Sequence, residues 1–497
     1  MTEDPGRDAI GRLRRAWDQG PARRELSEFA RERARPLYLV GGAVRDVLLG
    51  REVGDWDLTG PGAAELAREW AGESGLRLVT LHEDLPTARV IVQPGSPRGF
   101  LDFADLRAPT IEEDLRARDF TINAMAWDVR GADELVDPTG GLADLRRHLV
   151  RTPALSCLQD DPLRTLRAFR LAAELAFGLE ERTAQWVREC GPRVREMAGE
   201  RVGQEMLKLF AAPHAADAIQ SAHELGVLAD FVPPVAAMAG VTQGGYHHLD
   251  VLGHTLLALH EVERVMNDPE DVLPRSAEAV RAWVADPRRR AAVRLATLFH
   301  DIGKPAHRMT DEEGHIRFVG HEDEGARIFL HTARDWALPG ELRAEVAAMI
   351  RLHLRPLQLV NEGLRKLAAG EPPGEAITLA AIRRIMRDAE PVGVGLMLLA
   401  AADRSACRGP ASDFEHRQQV LAMLDSMLRR YLDWAREQSH LPRLVTGYDL
   451  MRELDLPPGP LIGELLDAIG EAQEDRRIST PEEAMEVARG FLKSKEG

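Results

Sequence analysis

Residues 36–60 read PLYLVGGAVRDVLLGREVGDWDLTG. An apolar run, Leu37 to Val40, meets a Gly41-Gly42 turn. A short helical stretch carrying Arg45 and Asp46 follows, and then a second extended run bearing Asp55 and Asp57. Two carboxylates two residues apart on a strand point to one face, where their oxygens can hold a pair of hard divalent cations. Trp56 and Leu58 alternate with them, so the opposite face is apolar and committed to a core. Double glycines and Asp-x-Asp also occur in ordinary turns and surface strands; the apolar frame is what favours a site. Paired divalent cations suit phosphoryl transfer, in which one activates the attacking hydroxyl and the other steadies the triphosphate. Backbone N–H groups at Gly41 and Gly42 can approach phosphates closely. A third carboxylate is expected on a neighbouring strand. FLDFADL (100–106) offers Asp102 and Asp105, whose odd spacing puts them on opposite faces, so only one can join.

Outward from this segment, strand signals are confined to the first third: LRLVTL (76–81), ARVIVQP (88–94) and FLDFADL join the two runs above in one mixed sheet. From about residue 142 the apolar spacing changes to three and four, as in PLRTLRAFRLAAELAF (162–177) and AVRLATLFHDIG (292–303), so the remainder is predicted to be nearly all helical. Breaks at FVPPVAAMAG (231–240), at Gly409-Pro410 and at Pro457 to Pro460 divide it. A chain of 497 residues needs several domains. With 44% hydrophobic and 29% charged residues and no membrane-length apolar run, it reads as soluble and not membrane-bound. The start, MTEDPGRDAIGRLRRAW, is acidic and amphipathic, unlike a secretory signal, so cytoplasm is the expected location. Three dispersed cysteines, Cys157, Cys190 and Cys407, offer no zinc or disulfide framework. A net charge of −16 excludes non-specific coating of nucleic acid and demands a local basic surface for any RNA.

Asp161 and Arg164 lie three apart on one predicted helical face, with Arg167 and Arg170 continuing it toward phosphate or RNA. Such an Asp/Arg pair can present hydrogen-bonding groups like the edge of a base, or it can form a plain surface ion-pair ladder. In the second half His254, His300, Asp301 and Asp403 fall on separate helical segments. Four such groups can converge on one metal in a bundle. His307 and His315 flank a polar turn, and His247 and His248 precede a helix; these read as structural.

LVGGAVRD with DWDLTG resembles the nucleotidyltransferase signature of the class II tRNA nucleotidyltransferase and poly(A) polymerase family. RDFTINAMAWD is similar to its ribose-recognition motif, DPTGGLADLRRHLVRTP to its connector, DDPLRTLRAFRLAAEL to its base-recognition helix, and GERVGQEMLKLF to the motif that follows. TGYDLMRELDLPPGPLIGELL resembles the end of many members. The resemblance implies an α+β chain: a small mixed-sheet, polymerase-beta-like nucleotidyltransferase head (1–141), an all-α RNA-binding neck (142–239), an HD helical domain (240–410) and a helical, tRNA-binding tail (411–497). It further implies that Asp55, Asp57 and Asp102 are catalytic, with Asp55 and Asp57 holding two Mg²⁺. Gly41, Gly42, Arg45, Arg118, Asp119, Asn123, Asp161, Arg164, Arg167 and Arg170 would bind nucleotide. Ala117 stands where the family usually has an arginine.

LFHDIGKP and its partners resemble the HD superfamily of metal-dependent phosphohydrolases, with Lys304 available for phosphate. His321 and His353 match the extra ligands of two-metal members, so His254, His300, Asp301, His321, His353 and Asp403 form the implied centre for a divalent metal. One departure concerns substrate choice. Between Arg107 and Glu112-Glu113-Asp114-Leu115 only APTI (108–111) intervenes, where members that complete the CCA end carry a longer flexible loop. The short strap resembles the CC-adding branch, whose partners are tRNA and CTP. A complete CCA-adding enzyme using ATP as well, a poly(A) polymerase, and an HD phosphohydrolase or phosphodiesterase acting on RNA ends are the alternatives. The mixed charge of the C-terminal tail counts against the polymerase, and a non-catalytic RNA-binding protein would have no need of two ligand sets.

Overall fold

The computed structural model describes residues 5–80, 87–93, 99–245, 247–410, 412–438, 444–474 and 477–496. Seven strands form one sheet in the order β3-β4-β5-β2-β1-β6-β7. They are β1 (Tyr38–Val40), β2 (Trp56–Gly60), β3 (Arg77–Thr80), β4 (Thr87–Ile91), β5 (Phe100–Asp105), β6 (Ala126–Asp128) and β7 (Leu135–Val136). The predicted runs all supply strands; Leu81, at the end of LRLVTL, lies outside the described residues. β6 and β7 lie outside the predicted runs: around β6, Ala124, Met125, Ala126 and Trp127 are continuously buried and show no two-residue alternation, and β7 is only 2 residues long. The sheet is mixed: β2 and β5 run parallel, the other pairs antiparallel. In the parallel pair Asp57 stands opposite Asp102.

Trp17, from the helix Pro5–Asp18, packs edge-on against Trp56 and Trp127 and closes one face of the sheet. Trp70, on the helix Ala63–Glu73, meets Phe103. Asp105 accepts from Ala64 N at 2.9 Å at the start of that helix, so its side chain serves the helix N-terminus.

Beyond residue 141 the chain is helical apart from two-residue strand pairs at Leu149–Val150 with Gly178–Leu179 and Met309–Thr310 with Ile316–Arg317, small exceptions to the all-helical expectation. One continuous apolar core runs from Ala9 to Leu428, while Val445 to Ala488 bury a core of their own. Among the described residues no helix is long and apolar enough to cross a membrane.

The neck and the following helices are joined by a buried ion pair. Arg294, 1% exposed, lies 2.9 Å from Glu263 and donates to the carbonyls of Phe210 and Pro213. Glu263 also accepts from Ala216 N. Burial lowers the Arg294 pKa to about 10 despite the neighbouring carboxylate, which shows how thoroughly the pair is desolvated. Breaking one partner of a buried pair strands the other charge. Arg294→Met should therefore cost about 3–5 kcal/mol, read as a lowered unfolding midpoint in urea. Arg294→Met with Glu263→Gln should recover part of that loss. An unchanged midpoint in the single variant would show that the pair is not a joint.

Candidate functional site

Asp55 is exposed just ahead of β2, and Asp57, two residues on, is half-buried on the strand. Asp102 lies in register beside Asp57, whereas Asp105 is occupied at the helix start described above. Three carboxylates thus share one face. Burial first, then the charges of Asp102 and Asp55, raise the Asp57 pKa to about 6, against the opposing pull of Arg118 and Arg89. Such crowding favours a cation. Arg89 grips Asp102 bidentately, Nε and Nη2 each at 2.7 Å. Each carboxylate oxygen retains a further lone pair, so this grip orients Asp102 without excluding it as a ligand.

Gly41 caps the helix Gly42–Leu48 with φ +71°, a region other residues avoid. A Cβ there would sit 3.5 Å from Arg118 Nη1 and 3.8 Å from Asp57 Oδ2. The glycine turn therefore separates a guanidinium from the carboxylate cluster, and a triphosphate between them would meet both. Arg45 donates to Asn123 Oδ1 at 2.8 Å and is braced by Asp46. Arg118 is held by the buried Asp114 through Nε and Nη2, both 3.1 Å.

Asp161 and Arg164 flank the start of the helix Leu163–Leu175. Arg164 donates to the Cys157 carbonyl at 3.1 Å, and Asp161 Oδ2 accepts from Arg201 at 2.8 Å. Asp161 Oδ1 and Arg164 Nε are buried and have no hydrogen-bond partner among the described residues. A buried acceptor and a buried donor left unused are costly unless something else completes them. Arg167 and Arg170 differ from the sequence expectation of a face turned to phosphate or RNA. Arg170 pairs with Glu205 and Glu174, each at 2.6 Å, and Arg167 with Asp119 at 3.0 Å and Glu205 at 3.4 Å. The reason is Glu205, a buried carboxylate on the helix Gly199–Ala211 that requires cationic partners. Asp119 is consequently positioned by Arg167. Arg89, Asp114 and Arg201 escape a reading of the sequence, because each is recognisable only through a partner distant in the chain or across a turn.

The helical half holds a second cluster. His254 lies on the helix Val251–Asn267, His300 and Asp301 at the end of Pro287–Phe299, and His321 at the start of His321–Asp335. His353 follows Gly340–Leu352, and Asp403 sits on Gly393–Ala406. Asp301 Oδ2 is 3.1 Å from His300 Nε2 and 3.8 Å from His254 Nε2, while its Oδ1 is 3.3 Å from His321 Nε2 and 3.9 Å from His353 Nε2. His254 Nε2 is 3.0 Å from Asp403. The Nδ1 atoms of His300, His321 and His353 contact the carbonyls of Thr297, Phe318 and Ile350 at 2.6–2.7 Å. A carbonyl only accepts, so Nδ1 carries a proton, and in the neutral ring the Nε2 lone pair faces Asp301. His300 Nε2 and His321 Nε2 accordingly have no hydrogen-bond partner among the described residues. Bare lone pairs aimed at a buried carboxylate fit a divalent metal. Burial would raise Asp301, but His300 in its protonated form and Lys304 outweigh it and hold the carboxyl well below its usual range. Lys304, expected to be available for phosphate, instead donates to Asp301 at 2.6 Å and Gln243 at 2.7 Å.

Family models match in the order of these sites: a poly A polymerase head domain over residues 37–151, a probable RNA- and SrmB-binding site of polymerase A over 176–238, and an HD domain over 247–406. The A-adding tRNA nucleotidyltransferase of Deinococcus radiodurans is 34% identical across 90% of this chain and 93% of its own length. The chain belongs to the tRNA nucleotidyltransferase family. The CC-adding tRNA nucleotidyltransferase of Thermus thermophilus is 32% identical across 92% of both chains. The solved Thermotoga maritima CCA-adding enzyme in complex with tRNA shares the fold at a TM-score of 0.56 and 21% identity over 94% of each chain.

The head of this nucleotidyltransferase therefore contains a carboxylate whose pKa burial and like charge raise to about 6. A raised carboxyl pKa costs the fold stability progressively as pH climbs from 3.8 to about 6, because only the folded state resists ionisation. Without metal, Asp57→Asn should melt above the parent at about pH 8, with the gap closing near about pH 4. Equal melting temperatures in EDTA at both pH values would show that Asp57 is not strained.

Proposed function

We propose that this nucleotidyltransferase adds two cytidines to the 3′ end of tRNA from CTP and leaves the terminal adenosine to another enzyme. The observation that carries the choice is the strap joining β5 to the helix Ile111–Arg116. Leu106 N donates to the Gly60 carbonyl at 3.3 Å, Arg107 N to Asp114 Oδ1 at 3.1 Å, and Thr110 Oγ1 accepts from Glu113 N at 3.3 Å. A pocket that reads cytosine and then adenine must reorganise, and a link tied at both ends has little freedom to drive that change. Asp114 also grips Arg118, so moving the strap would disturb a residue beside the triphosphate.

In this reading Asp55, Asp57 and Asp102 hold two Mg²⁺, which supply activation of the RNA hydroxyl and neutralisation of the departing pyrophosphate. Arg118 and the backbone at Gly41 and Gly42 bind the triphosphate. Arg45 orients Asn123 toward the sugar, and Arg167 orients Asp119. The unused Asp161 Oδ1 and Arg164 Nε receive the edge of the base, with Arg201 steadying Asp161. The HD half, with Asp301 between two sets of imidazoles, supports a second reading beside the first: metal-dependent phosphohydrolysis at RNA ends.

A tRNA transcript lacking CCA, given Mg²⁺ with CTP, ATP or both, should gain two cytidines and no adenosine. A full CCA end would refute the strap argument, and a long adenosine tract would move the enzyme to the polymerase branch. Asp55→Ala with Asp57→Ala should lower addition about a thousand-fold, several kcal/mol of transition-state stabilisation, while sparing any HD hydrolysis. Base reading has its own test. Arg164→Leu should cut the preference for CTP over UTP by about a hundred-fold, since a site built on polar contacts discriminates through them. Unchanged selectivity would return Asp161 and Arg164 to a merely structural ion-pair role.

A further inference from the structure

Within the HD cluster, three of the imidazoles are oriented alike, by a backbone carbonyl three residues earlier. His254 is the exception. Its Nε2 faces Asp403 and Asp301, but its Nδ1 meets no carbonyl among the described residues; it lies 3.3 Å from Nδ1 of His247, with the two rings edge to face at 88°. An imidazole that gives its Nε2 lone pair to a metal must carry its proton on Nδ1, and that proton needs an acceptor. Two Nδ1 atoms facing each other can share only one proton. If His254 donates, His247 must hold its own proton on Nε2 and offer a bare Nδ1. Cys407 Sγ lies 3.8 Å from the same His247 Nδ1, a second weak donor turned toward one acceptor.

We propose that His247 is the positioning residue of the HD metal site: its Nδ1 accepts from His254 and thereby sets the tautomer in which His254 Nε2 can ligate. His247 takes the part that the carbonyls of Thr297, Phe318 and Ile350 play for the other imidazoles. His247 has the freedom for this because it sits ahead of the helix Val251–Asn267, in a turn closed by His247 N on the Gly244 carbonyl. The same three atoms, His247 Nδ1, His254 Nδ1 and Cys407 Sγ, also form a compact group that could hold a separate metal ion. That alternative would require His254 to bind through both nitrogens as an imidazolate, with no donor left for either. The hydrogen-bonded arrangement needs no such ionisation.

The inference rests on the HD cluster being a metal site, and the experiment separates the two. Co²⁺ is titrated into the metal-free full-length protein, and its visible bands report imidazole ligation, which the all-carboxylate head cannot give. His247→Asn places an amide oxygen where Nδ1 stood; His247→Gln moves it to the Nε2 position. Co²⁺ affinity should fall about 10–100-fold in His247→Gln and stay within a few-fold of the parent in His247→Asn, with equal melting temperatures and unchanged CTP addition in both. Parent-like affinity in His247→Gln would overturn the proposal, as would equal losses in the two variants. Loss of one whole Co²⁺ equivalent in both His247→Gln and Cys407→Ser would overturn it in favour of the separate site. Absence of imidazole bands in the parent protein would overturn the metal-site reading itself.

Discussion

The parallel pairing of β2 with β5 is the constraint on which the head is built. Parallel strands cannot be joined by a tight turn, so the chain must leave the sheet, and it does so through the helix Ala63–Glu73 and the β3-β4 hairpin before β5 returns. Register then decides chemistry. With Asp57 opposite Asp102, a slip of one residue would turn Asp102 to the wrong face and bring Asp105, further along the strand, to the carboxylate face in its stead. Asp105 is prevented from that role by its bond to Ala64 N, so one aspartate of FLDFADL starts the crossover helix while the other joins the site.

Around this cluster the pocket is assembled from arginines that are themselves held. Arg45 by Asp46, Arg89 by Asp102, Arg118 by Asp114 and Arg167 by Asp119 and Glu205 each lose side-chain freedom before any substrate arrives. Fixing a guanidinium in advance lowers the entropic cost of binding and sets its direction. The same pairing cancels much of the arginines' charge in a chain of net charge −16, so bound cations would supply the positive potential that a polyanionic substrate needs at the point of reaction.

What was legible in the sequence follows from the range of the interactions. The glycine turn, the Asp55/Asp57 pair and the histidines of the helical half are local patterns or fall at helix ends, and the predicted strands appear where alternation marks them. β6 is buried at Ala126 and Trp127 and gives no alternation; Arg89, Asp114 and Arg201 matter through partners that only folding brings near. Arg167 and Arg170 show the limit most clearly. Helical spacing correctly aligned them with Arg164, but it could not reveal Glu205, whose burial turns the pair inward. A face defined by periodicity is a statement about angle, and its contents depend on what the opposing helix brings.

The two metal-binding candidates solve opposite electrostatic problems. In the head, carboxylates crowd together, and Asp57 is pushed toward the protonated form. In the helical half, two buried carboxylates, Asp301 and Asp403, lie among imidazoles, and Asp301, beside Lys304, is held firmly ionised. A cation entering the head must displace protons or neutralise repulsion among oxygens, which suits a hard ion that exchanges readily with each substrate. One entering the HD cluster meets oriented nitrogen lone pairs around an ionised oxygen bridge, which suits a more tightly retained transition metal. The continuous packing of the core between the two halves, with Arg294 and Glu263 buried at the joint, keeps both environments on one framework.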